Sequence, residues 1–167
     1  MSRSRPLRAI AIACTFALTT LATSAAHAQM IEKKTLSLAA AKQVAAAAEA
    51  EAVKNGWNVV ITIVDDGGHV MYLQRLDGTQ NGSIEVAQRK ARTAMNFKRS
   101  TKVFEDAIAG GRNAVLALAD LGVFPLEGGL PLMHEGKIVG AIGVSGVTSQ
   151  QDGIVAKAGA DALAAMP

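Results

Sequence analysis

Beyond residue 28, histidine occurs twice, at His69 and His134. His69 alternates with Met71, Leu73 and Arg75, so an extended strand sets all four on one face. An imidazole among apolar neighbours can serve as an axial iron ligand, and Arg75 can pair a carboxylate. A histidine beside a turn can equally be an ordinary hydrogen-bonded residue. His134 precedes the turn Glu135-Gly136 and is expected to be exposed, with no role assigned to it.

A helix over 83–97 carries a second candidate constellation. Ile84, Ala87, Ala91 and Met95 fall on one apolar face, the expected core seam. Val86, Lys90, Thr93 and Phe97 form a second stripe that mixes a cation, a hydroxyl and two apolar groups. Such a stripe suits the wall of a pocket for an anionic ligand, or a subunit interface. It also suits a surface on which Lys90 lays its stem over Val86 and Phe97. Arg89, Lys90, Arg92, Lys98, Arg99 and Lys102 make the neighbourhood basic, either as a solvated face or as a field that steers an anion.

Catalytic patterns are sparse. The chain has no G-x-S-x-G elbow, no H-E-x-x-H and no phosphate-binding P-loop. No catalytic residue is assigned on this inventory, which is poor in acid–base and nucleophilic groups.

The elements that must position these residues follow from periodicity and turn signals. Ser37 caps an alanine-rich helix that runs to about residue 54 and closes at Asn55-Gly56. Strands are expected at 57–64 and 69–76 around the turn Asp65-Asp66-Gly67-Gly68. Ser83 is expected to cap the helix 83–97. A short helix over 100–108 follows, then a segment, 112–122, that reads as helical turn or loop. Further strands are expected at 123–126, 130–134 and 138–145, and a last helix over 149–165. Gly140 and Gly143 inside a strand mark a bulge or a close backbone approach. Hairpins dominate, so the sheet should be mainly antiparallel, with helices packed on its faces.

The N-terminus has the form of a cleavable signal peptide over 1–28. Arg3, Arg5 and Arg8 precede an apolar run from Ala9 to Leu21, too short to span a bilayer, and Ala26-His27-Ala28 is an A-x-A cleavage site. Cleavage leaves 29–167 as a single domain, periplasmic or secreted, with no membrane anchor. It takes Cys14, the chain's one cysteine, which excludes a disulfide or a thiolate metal site. It also takes three of the 17 basic residues, which balances the remainder against the 14 acidic ones. A neutral mature chain argues against a nucleic-acid partner, since phosphate binding needs a basic surface.

Four segments then carry a family resemblance. Val64-Asp-Asp-Gly-Gly-His-Val70, Ser83-Ile-Glu-Val-Ala-Gln-Arg-Lys-Ala-Arg-Thr-Ala94, Gly128-Gly-Leu-Pro-Leu132 and Gly140-Ala-Ile-Gly-Val-Ser-Gly146 stand in the order they take in the GlcG/HbpS-like family. This family is often labelled a haem-degrading domain. The resemblance covers nearly all of 35–167. It implies a three-layer α-β-α, profilin-like fold with a mainly antiparallel, here five-stranded, sheet, and assembly into dimers or larger homo-oligomers. It also implies non-covalent haem binding in some members, with slow haem breakdown, or a sensing or storage role. Lys90 and Thr93 match the family's K-A-x-T-A segment, and His69 matches a position where histidine is frequent. On that basis His69, as iron ligand, with Arg75, Val86, Lys90, Thr93 and Phe97 form the expected haem site. The other reading is an oligomeric binding module that takes a small organic anion on the same stripe, without haem.

Overall fold

The computed structural model describes residues 30–167. The segment expected to be a signal peptide, 1–28, lies outside the described residues. The chain divides into two units at 32/33; of the first, only residues 30–32 are described, and they carry no regular structure. The second, Lys33–Pro167, holds all the elements discussed here.

Ser37 accepts a hydrogen bond from Ala40 N at 3.1 Å and starts α1 (Leu38–Lys54), as its sequence position predicts. Two hairpins follow the turn chemistry. Between β1 (Val60–Asp65) and β2 (Val70–Arg75), Asp65 Oδ1 accepts the amides of Gly67 at 2.8 Å and His69 at 2.9 Å. Between β3 (Gly129–His134) and β4 (Lys137–Ser145), Glu135 and Gly136 both have positive φ, the backbone of a tight two-residue hairpin turn. α2 (Gly82–Phe97) and α3 (Lys102–Ala109) separate the hairpins. α4 (Ser149–Ala164) ends the chain behind a capping box in which Thr148 and Gln151 satisfy each other's backbone amides.

Among the described residues the sheet has four strands, all antiparallel, in the order β2-β1-β4-β3. One face carries Ile61, Ile63, Leu132, Ile142 and Val144 against α1 and α4. The other carries Val64 and Ala141 against Ala91, Ala94 and Met95 of α2. Helices therefore cover both faces, and the near-continuous burial of β1 and β4 follows from it. α2 approaches the sheet over Gly143. A Cβ there would collide with the Ala87 carbonyl oxygen and sit 2.5 Å from Ala91 N, the close helix approach that a strand glycine signals.

Two expectations are corrected, and a segment left open between helical turn and loop is decided. The predicted fifth strand, 123–126, does not form. Val123 N donates to Leu118 O, Phe124 N to the Thr93 hydroxyl and Leu126 N to Phe124 O, and Pro125 has no N–H, so no amide of the segment is left for a ladder. Segment 112–122 settles as a 3-10 helix, Asn113–Leu121, none of whose residues is buried. Ser83 does not cap α2; Asn81 stands at that position and Ser83 is buried as the second residue of the helix.

Candidate functional site

The stripe on α2 turns inward. Lys90 is 1% exposed, and its ammonium donates to Asp152 Oδ2 at 2.7 Å and to Val144 O at 3.0 Å. It reaches them past Gly128, where a Cβ would stand 2.9 Å from Nζ. Burial pushes the Asp152 carboxyl above the usual aspartate range, and the Lys90 charge and hydrogen bond pull the other way. The pair ties α2 to the first turn of α4 across the end of β4. Lys90 thus spends its charge inside the fold.

Thr93 is also buried. Its Oγ1 accepts from Phe124 N at 2.9 Å and donates to Gly122 O at 3.3 Å. Phe97, half-buried, meets Phe104 of α3 edge to face at 5.6 Å. Val86 is half-buried on the same helix. Thr93 and Phe97 therefore hold the segment from α3 to residue 124 against α2.

His69 and Arg75 lie just before and at the end of edge strand β2. The His69 side chain is 83% exposed, with Nδ1 3.5 Å from Asp65 Oδ1. Arg75 is exposed and hydrogen-bonded to Asn81. The structure carries Val86, Lys90, Thr93 and Phe97 on one helix and sets His69 and Arg75 at opposite ends of the edge strand β2.

A cavity of about 280 Å³ opens at the other histidine. Leu36, Ala40, Val139, Leu163 and Met166 give it apolar walls, and Lys34, Ser37 and His134 are its polar edge. Leu36 N donates to Val139 O at 3.2 Å, which lays the chain before α1 along β4. A register shift at Leu132/Met133 interrupts the β3–β4 ladder just before His134, and such irregularities re-aim side chains. The His134 side chain is 20% exposed, with Nε2 3.9 Å from Glu135 Oε1. Glu135 is held by Lys34, whose ammonium lowers its carboxyl below the usual range.

An imidazole at the lip of an apolar pocket, with an ammonium beside it, can bind an apolar ligand that carries a metal or a carboxylate. Sequence reasoning passed over His134 because of the turn beside it. The available signal was period two: Leu130, Leu132 and His134 alternate on β3, and the first two pack into the core. Among the described residues no three His, Cys, Asp or Glu side chains gather as a metal cage.

Comparison with known proteins agrees with the four motif segments. GlcG of Escherichia coli strain K12 is 44% identical over 116 residues, covering 70% of this chain and 85% of GlcG. The crystal structure of HbpS superposes with a TM-score of 0.72 at 32% identity, covering 80% of this chain and 93% of that one. The crystal structure of a PduOC:haem complex superposes with a TM-score of 0.71 at 29% identity, covering 77% and 94%. The model of the family described as haem degrading protein HbpS-like matches residues 36–161, so the chain belongs to that family.

Proposed function

We propose that this chain is an exported, non-covalent haem-binding protein whose site is the cavity at His134. The carrying observation is that cavity: a half-buried imidazole against Leu36, Val139 and Leu163, with Lys34 at the edge. Family membership and the haem-bound PduOC relative support the choice of ligand. Haem needs an apolar slot, an axial ligand and a cation for its propionates; these residues supply the first two, and Lys34 supplies the third by exchanging Glu135 for a propionate. At about 280 Å³ the cavity falls just below the range for small-molecule sites, roughly 300–1,000 Å³, so haem would fill it and extend over its rim. Bound haem would bring redox-active iron. The chain's own part is to ligate through His134, pair a propionate through Lys34 and keep water from one face. The role is to hold haem, for storage or sensing outside the cytoplasm, with any breakdown slow.

Two imidazoles compete for the iron. His69 is the ligand expected from the sequence, but its side chain is 83% exposed and it does not line the cavity at His134. Hemin titration of residues 29–167, followed by visible absorption, separates them. The expected result is a saturable Soret shift that His134→Ala weakens and His69→Ala leaves in place. The reverse pattern would return the iron to His69, and a titration without saturation would remove haem binding altogether.

A further inference from the structure

A second, larger groove lies on the α2 side of the same hairpin, about 560 Å³ in volume. Its floor is Met95, Met133 and Ile138, and Met133 is 41% exposed. Lys33, Lys98 and Lys137 line it from three separate parts of the chain. Lys33 is paired with Asp66, the one carboxylate among the lining residues. Among the described residues, Lys98 and Lys137 form no ion pair.

Lys98 is placed there at a cost. It is the C-cap of α2, with φ 53° and ψ 39°, a left-handed conformation that glycine adopts freely and lysine does not. The helix dipole favours a cation at this end, but it does not explain why Lys137, on a hairpin, and Lys33 face the same floor. Two lysines without ion pairs, lining one groove with the exposed Met133, suit a ligand with an anionic head and an apolar body. Methionine adapts to such bodies.

We propose that this groove is a binding site for a small amphiphilic carboxylate, separate from the cavity at His134. Lys98 and Lys137 hold the carboxylate, and Met133 and Ile138 cover the chain. The site does not depend on haem binding.

Calorimetric titration of the mature chain with sodium octanoate, sodium butyrate and inorganic phosphate tests it. Octanoate should bind at one per chain, at least about tenfold more tightly than butyrate, because each added methylene is buried. Phosphate should give no saturable heat. The double variant Lys98→Gly/Lys137→Gln should weaken octanoate at least about tenfold. It should not lower the thermal midpoint, because glycine relieves the backbone at residue 98. Hemin titrated in saturating octanoate should give an unchanged Soret midpoint. Equal binding by the double variant, phosphate binding as tight as octanoate, no octanoate binding, or displacement of hemin by octanoate would each overturn the proposal.

Discussion

Lys90 and Asp152 illustrate how a charged residue can be structural. A buried ion pair offsets its desolvation only while both partners are present. Lys90→Met should therefore destabilise the chain by about 3–5 kcal/mol, since Asp152 would be left buried and unpaired. Adding Asp152→Leu should recover a large part of that loss, and urea unfolding of the two single variants and the double variant measures it. Glu127 makes a smaller, pH-dependent case. Burial raises its carboxyl above the usual glutamate value, against the attraction of Lys102. A raised folded pKa means that the native state holds the proton more tightly. The stabilising contribution is thus full below the unfolded value and is lost as pH rises through the folded one. Glu127→Gln should match the parent in acid and exceed it modestly at pH 7, in urea midpoints taken across that range. Equal midpoints at every pH would count against a raised carboxyl.

At the scale of elements, close backbone approach sets the layers. Gly143→Ala would drive a methyl into the Ala87 carbonyl, which lies on a rigid helix. We expect a loss of about 1–3 kcal/mol, or failure to fold, because overpacking forces backbone shifts. Chemical denaturation of the purified variant reads it. The capping box of α4 predicts a milder effect: Thr148→Ala should cost about 1 kcal/mol. The helices and both hairpins were legible in the sequence because caps, turns and apolar periodicity are local signals. The strand expected at 123–126 failed because strand pairing is not local. Its backbone groups found the Thr93 hydroxyl and the 3-10 helix before any ladder.

For the whole molecule, one stretch of exposed apolar side chains follows α3. The 3-10 helix buries none of its residues, and Leu121 is 69% exposed, with Leu116 and Leu126 also exposed. Apolar surface of this kind is characteristic of an interface between copies. Light scattering of the eluting mature chain should give a dimer or larger assembly, and Leu116→Glu/Leu121→Glu should shift it toward monomer. A monomeric parent at micromolar concentration would overturn the expectation of a homo-oligomer.

By itself, the sequence determined the helices, the two hairpins, the strand glycines that mark a bulge or a close approach and, through four ordered motifs, the family. Each is carried by neighbouring residues or by a pattern along the chain. The tertiary structure decided where the chemistry stands. Lys90 reads as a ligand's cation until Asp152, 62 residues away, meets it inside the fold. His134 reads as a turn residue until α1, α4 and the chain before α1 build a cavity beside it. Periodicity assigns a side chain to a face, but the burial of that face depends on segments distant in sequence, and burial sets whether a charge or an imidazole is spent on the fold or left for a ligand.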